Sequence, residues 1–274
     1  MKIGLIGCGK VGTSIFYYLS RNNPIVGVYD VNKTHQKRTA RLLHVNRNLP
    51  LEQLCRTSTA LFFATPDDEI KKAYKEVQRF ITGKKYLFHF SGLLPAAALP
   101  KKRDVNRASA HPFATFPQLF IPPARRQYML FLEGDRRAVK AAYTIFDKKH
   151  FTLKTISKKK KAHYHILGVF SSNFIVGLFS AMHSLAKQLG WTKQEMYDAI
   201  FPMIEETLEN IQLYNGKGAL SGPLVRGDTK TIRRHLRILK QDKHLAAIYK
   251  ALSLQLLEMV VKSSNKNIKK ILLH

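Results

Sequence analysis

The strongest constraint on this chain lies in its first twenty residues. Lys2-Ile3-Gly4-Leu5-Ile6 is a short apolar run, suited to a strand buried in a parallel sheet. Gly7-Cys8-Gly9-Lys10-Val11-Gly12 follows in the spacing G-x-G-x-x-G, and Ile15, Phe16 and Leu19 then recur at helical intervals. Gly7 suits a tight turn out of the strand, Gly9 lets a pyrophosphate approach the backbone, and Gly12 lets the helix pack on the strand. The free N–H groups and positive dipole end of that helix would face the phosphates. The glycine spacing alone is weak evidence. Between a strand and a helix it predicts a dinucleotide site made by Gly7, Cys8, Gly9, Lys10, Val11 and Gly12.

The second half of the fingerprint is also present. Pro24-Ile25-Val26-Gly27-Val28-Tyr29 reads as the next strand, and Asp30 closes it 18 residues after Gly12. That is near the spacing expected for an acid on the ribose hydroxyls. The bland alternative for Asp30 is a turn or helix cap, since Asn32-Lys33-Thr34 follows. An acid here repels a 2′-phosphate and favours NAD, whereas Lys33, Lys37 and Arg38 just downstream could receive one. The expected cofactor is therefore NAD or NADP, with NAD favoured by Asp30.

Strands and helices alternate up to about residue 156. Ala60–Ala64 and Tyr86–Phe90 read as buried strands, ending in Thr65-Pro66-Asp67-Asp68 and Ser91-Gly92. Tyr128–Gly134 and Phe151–Ile156 read as later strands, with a helix over 137–146 between them. Ligands bind at the carboxyl ends of strands in such sheets, which adds Thr65, Pro66 and Asp67 to the cofactor candidates. Asp67 or Asp68 could equally cap the helix expected over 71–81. The expected fold is an α/β Rossmann domain with a parallel, doubly wound sheet over 1–156, followed by an all-α domain over 157–274. In the second part, one long helix over about 160–189 is apolar nearly all round, as a central buried helix should be. Further helices are expected over 195–214, 231–239 and 245–261.

The chain has 46 Lys+Arg against 18 Asp+Glu, a formal charge of +28. Such an excess attracts nucleic acid or anionic surfaces. It is spread along the chain, apart from Lys158-Lys159-Lys160-Lys161 and a basic tail, and no helix-turn-helix, zinc or aromatic RNA-binding motif accompanies it. A solvated surface is the expected reading, for the four-lysine run as well, and nucleic acid is not expected as a partner. Cys8 and Cys55 have no metal or disulfide spacing, which fits a reducing, cytoplasmic setting. No signal peptide or uninterrupted membrane span is read, so no membrane partner is expected.

Polar residues at strand ends and on the long helix are the candidates for chemistry. Ser91 and His111 come from the first domain. His165, Ser172 and Asn173 share one face of the long helix, since they lie seven and eight residues apart. Each has a bland reading: a turn before Pro112 for His111, a satisfied core histidine for His165, a helix tie for Asn173. Arg226 and Asp228 could cap the helix that follows them.

Together these segments resemble a known family. The glycine fingerprint, Thr65-Pro66-Asp67-Asp68, Ser91-Gly92, Ser109-x-His111-Pro112, Ser171-Ser172-Asn173 and Ser221-Gly222-Pro223-x-x-Arg226-Gly227-Asp228 look like the Rossmann-like/DUF2520 proteins. These are similar to coenzyme F420-dependent NADP oxidoreductases and to pyrroline-5-carboxylate reductase. The resemblance implies a nicotinamide cofactor and a helical dimerisation domain, hence a homodimer. It supplies no substrate. Related hydroxyacid dehydrogenases carry a catalytic lysine four residues before a helix asparagine, and here that position is Val169. The expectation is an oxidoreductase moving a hydride between nicotinamide and a small carbonyl or imine substrate. Asn173 and Ser91 would orient the substrate, Arg226 would hold a carboxylate, and His111 would manage the proton, with His165 in reserve. The alternative is a non-catalytic dinucleotide sensor or a basic interaction protein.

Overall fold

The computed structural model describes residues 1–46, 49–119, 127–260 and 265–273. Its elements begin β1 (Ile3–Ile6), α1 (Lys10–Leu19), β2 (Ile25–Tyr29), α2 (Lys33–Leu42), α3 (Leu51–Thr57), β3 (Ala60–Phe63), α4 (Ile70–Val77) and β4 (Lys85–His89). They continue with β5 (Val105–Pro112), β6 (Tyr128–Gly134), α5 (Arg136–Ile145) and β7 (Phe151–Thr155). The seven strands form one sheet in the order β2-β1-β3-β4-β5-β6-β7.

Alternation along each strand explains why both faces are covered. Ile3, Leu5, Ala60 and Phe62 enter a core shared with Ile15, Phe16 and Leu19 of α1 and with the alanines of α5. Ile6, Leu61, Phe63 and Leu87 enter a second core with Leu54 of α3 and with Ile70, Tyr74 and Val77 of α4. Phe62 is the hinge of the first core, stacked on Phe88 at 4.7 Å and edge-on to Phe16 at 5.4 Å.

The sheet departs from the parallel one expected at a single junction. β6 runs antiparallel to β5, pairing Ser109 with Glu133 and His111 with Phe131, whereas β7 is again parallel to β6. β5 itself was not among the strands read from the sequence. Its residues, Val105-Asn106-Arg107-Ala108-Ser109-Ala110-His111-Pro112, carry too little apolar periodicity to announce a strand.

The chain divides into two compact units, Met1–Ile175 and Val176–His274. The next helix, α6 (Lys161–Ser171), therefore belongs with the sheet rather than with the helices that follow. The single long helix of the sequence reading is two, because Ser172 leaves the helical region (φ −136°, ψ −70°) before α7 (Asn173–Gln188). Nor is α6 a buried apolar rod. Ile166, Leu167 and Phe170 are exposed, and its buried side chains are Lys161 and Tyr164. By length and composition alone, the stretch 158–188 is long and apolar enough to cross a membrane.

The second unit continues with α8 (Lys193–Gly218), α9 (Pro223–Arg226), α10 (Thr229–Leu239), α11 (Lys243–Leu257) and α12 (Asn265–Leu273). The sequence reading ended α11 at residue 261, which lies outside the described residues. A capping box, Thr192 with Glu195, starts α8. Asp228 caps α10 by accepting from the Thr231 N–H at 3.0 Å, as one reading of the sequence had it. Leu224, Ile232, Leu257, Ile268 and Leu272 form this unit's core.

Candidate functional site

The glycine turn has the geometry its spacing requires. Gly7 sits at φ +97°, a conformation that side chains with a Cβ rarely adopt, and its N–H donates to the Tyr29 carbonyl at 2.8 Å. A Cβ on Gly12 would lie 2.5 Å from the Gly7 oxygen, so only glycine lets α1 close on the strand. Gly9 is different: a Cβ there would meet nothing within 4 Å. It faces open space at the N-terminus of α1, where no side chain caps the helix.

Asp30 stands at the end of β2, against this turn. Its Oδ2 accepts from the Cys8 N–H at 2.6 Å and its Oδ1 from the Asn32 N–H at 2.8 Å. Asn32, not Asp30, caps α2. Each carboxylate oxygen keeps a lone pair for a further donor. Lys33 reaches the Asp30 carbonyl and the Tyr29 ring. Cys8 is wholly buried, and burial pushes its thiol up to about 12, so it is inert. Lys10 extends away from the turn to the Pro117 carbonyl at 2.6 Å.

At the end of β3, the Thr65 hydroxyl oxygen is buried with no hydrogen-bond partner among the described residues. It lies at the carboxyl end of a parallel strand, the end where ligands bind in open α/β sheets. Pro66 is exposed beside it. Asp67 does not cap the following turn. Its Oδ2 instead accepts from the Ser91 hydroxyl at 2.7 Å. That hydroxyl also accepts from the N–H groups of Leu93 and Leu94, and Ser91 is buried. Ser91 therefore shapes the exit of β4, and its side chain is already engaged rather than held out to a substrate.

A second concavity lies at the carboxyl end of β5, lined by His111, Phe113, His165, Gly168, Ser172 and Asn173 among others, with a volume of about 220 Å³. The structure thus brings His111 of β5 together with His165 of α6 and with Ser172 and Asn173 at the break before α7. The imidazoles of His111 and His165 both close on Gly92, where a Cβ would sit 2.6 Å from His165 Cδ2 and 2.8 Å from His111 Nε2. The single Ser172 hydroxyl proton has two acceptors in reach, the Gly168 carbonyl at 2.8 Å and Asn173 Oδ1 at 2.9 Å. Asn173 lines the pocket wall.

His111 does not have the properties expected of a neutral-pH proton donor. Burial, the Lys161 ammonium, and the neighbouring His165 and His89 lower it to about 3. It is an uncharged imidazole at pH 7. Its Nδ1 is hydrogen-bonded to the Tyr164 hydroxyl. Burial raises the tyrosine, which stays protonated. A buried hydroxyl donates its proton where an acceptor exists, so Nδ1 accepts and Nε2 carries the ring hydrogen.

Behind His111 lies a group missed in the sequence. Lys161, the last of the four-lysine run, is 2% exposed. It donates to Ser109 Oγ at 2.6 Å and to the Ser91 carbonyl at 3.2 Å, and Ser109 Oγ donates to that same carbonyl. A lysine run reads as solvated surface, and nothing in its spacing marks the fourth member as buried. His89 is also wholly buried, donating from Nε2 to the Pro95 carbonyl and accepting at Nδ1 from the Ser91 N–H. Arg226 lies in the second unit, exposed at the end of α9, next to the cap Asp228. No cluster of metal ligands occurs among the described residues.

Two family models match the chain: a Rossmann-like domain over residues 1–100 and the domain of unknown function DUF2520 over residues 128–256. No curated protein matches. Among solved structures, a protein from Thermotoga maritima is 22% identical with a TM-score of 0.69, covering 94% of this chain and 97% of its own. A semialdehyde dehydrogenase NAD-binding protein from Cupriavidus necator, solved with calcium and NAD, is 18% identical with a TM-score of 0.64, covering 89% and 96%. Pyrroline carboxylate reductase from Plasmodium falciparum, solved with NADP, is 14% identical with a TM-score of 0.60, covering 98% and 97%. At these identities the likeness is one of fold.

Proposed function

We propose that this chain, a Rossmann-like domain followed by a DUF2520 domain, is an NAD(P)-dependent oxidoreductase acting on a small carbonyl or imine compound. The observation that carries this is the glycine turn. Gly7 and Gly12 are each required by the backbone around them, whereas Gly9 opens onto unfilled space at a helix N-terminus. The turn is built to admit a phosphate group, and the orphaned Thr65 hydroxyl beside it fits the same ligand. The solved relatives that hold NAD or NADP support this choice of cofactor.

The backbone N–H groups of residues 9–12 would hold the pyrophosphate, and the free lone pairs of Asp30 would take ribose hydroxyls. The bound nicotinamide supplies or accepts a hydride. The chain's own residues need only orient the substrate and handle one proton. His111, held neutral with its hydrogen on Nε2, offers a donor to the oxygen or nitrogen on which negative charge develops, as a neutral imidazole can. Asn173 adds an amide to the lining, and Phe113 keeps the pocket partly apolar. His165 is the second imidazole on the pocket and the candidate for exchanging the proton.

The test has two stages. Calorimetric titration should show NAD or NADP binding. Screening α-keto and imino acids with NADH and NADPH should then find turnover, which His111→Ala and Asn173→Ala abolish while cofactor affinity stays within about twofold. Wild-type rates in both variants would mean that the pocket is not the reaction site. Cofactor binding with no turnover on any such compound would favour the sensor reading instead.

A further inference from the structure

We propose that Lys161 is a positioning residue of the candidate site: its buried ammonium ties the ends of β4 and β5 together and supplies the fixed positive charge behind His111. This rests on the oxidoreductase reading only in assigning His111 to the reaction pocket.

The geometry is unusual for a lysine. A long ammonium-tipped chain loses a large hydration energy when buried, and this is repaid only by good acceptors. Lys161 has two, one in the turn after β4 and one on β5, the strand that carries His111 into the pocket. The Ser91 carbonyl fixes the turn after β4 that contains Gly92, against which both imidazoles rest. The Ser109 hydroxyl lies two residues before His111 on β5, at 2.6 Å from the ammonium. Ser109 Oγ also donates to the Ser91 carbonyl at 3.1 Å, closing a three-membered knot. The same turn of α6 brings Tyr164 to His111 Nδ1. One short stretch of helix therefore holds the Ser91 carbonyl, the Ser109 hydroxyl two residues before His111, and the hydrogen on the His111 ring.

Charge points the same way. The groups that act on Lys161 are Glu133 on β6 and Asp67 after β3, which favour the ammonium, while burial opposes it and brings it down to about 8. Those acting on His111 are Lys161 and His165 from α6 and His89 from β4, all disfavouring a second positive charge, with Tyr164 bonded to it. Removing Lys161 takes away the largest charge effect on this imidazole. His111 would then become able to protonate at a pH where the native protein keeps it neutral.

The test is an NMR titration of the histidine rings in the whole chain, wild type and Lys161→Met, with His111→Gln and His89→Gln identifying the buried imidazoles. The His111 midpoint should rise by about one pH unit or more in Lys161→Met. In the wild type, the His111 signals should show a second inflection near the lysine's own titration at about 8. An unchanged His111 midpoint in a folded Lys161→Met protein overturns the proposal. If that variant does not fold, the wild type decides, and absence of the alkaline inflection overturns it. Neither readout needs a substrate or cofactor, so failure here and failure of the oxidoreductase reading are separately visible.

Discussion

The Tyr164 hydroxyl meets Nδ1 of His111 across fifty-three residues of sequence, and this contact decides which ring nitrogen faces the pocket. Tyr164→Phe removes it while keeping the ring among Phe113 and Phe131. His111 Nδ1 is then left without its donor. The expected cost is about 1–3 kcal/mol of stability, read as a lowered melting temperature. The nitrogen shifts of His111 should also move from a single tautomer to a mixture. A variant that melts like wild type with an unchanged tautomer would show that the hydroxyl does not set the ring.

Gly9→Val and Gly12→Val should separate binding from folding. Gly9→Val meets open space, so its melting temperature should stay near wild type while NAD(P) affinity falls at least tenfold, about 1.4 kcal/mol. Gly12→Val forces a side chain against the Gly7 oxygen and Ala64 and should destabilise the fold itself. Thermal melts beside calorimetric titrations check both. A Gly9→Val protein that binds as tightly as wild type would remove the main support for a dinucleotide at this turn.

Acid should unfold the protein partly through its buried imidazoles. His89 and His111 are lowered to about 4 and about 3 from the usual 6.5. For each, the unfolded state binds a proton first as pH falls below 6.5, while the native state resists until the folded value is reached. Their stabilising contribution is thus complete above 6.5 and is lost through that window, by at most about 1.4 kcal/mol per pH unit per group. Denaturant melts between pH 7 and 4 should show the decline. The slope should be shallower in His111→Gln than in wild type, and equal slopes would contradict the burial of a neutral imidazole.

In the second unit, Leu185, Leu189, Trp191, Met203 and Leu208 line an apolar groove of about 480 Å³, and all five are exposed in the single chain. Exposed apolar faces of this kind mark association surfaces. The expected assembly is a homodimer joined through this unit. Sedimentation at micromolar concentration should give twice the 31.3 kDa chain, and Met203→Asp should shift it toward monomer. A clean monomer in the wild type would contradict this.

How far the sequence reveals the molecule varies by element. β1, the glycine turn, α1 and β2 are legible because each residue there has one physical job. Asp30 is legible in place, but its role as an anchor for the Cys8 N–H is not, since that bond depends on the turn's exact path. β5 is hidden because its polar residues face neighbours that arrive later in the chain, Glu133 and Lys161 among them. The break at Ser172 is hidden because Phe170 and Phe174 keep helical spacing across it. His111 is found as a candidate, but its charge state is not, because burial and the lysine behind it are tertiary facts.

The four-lysine run has a practical consequence. Lys158, Lys159 and Lys160 are exposed, whereas Lys161 is sealed against β5 and the turn after β4. To an amine-acylating reagent in water the run is three lysines long. The fourth becomes reactive only when α6 lifts from those strands, so its acylation, mapped by peptide mass, is a footprint of local unfolding written into the chain itself.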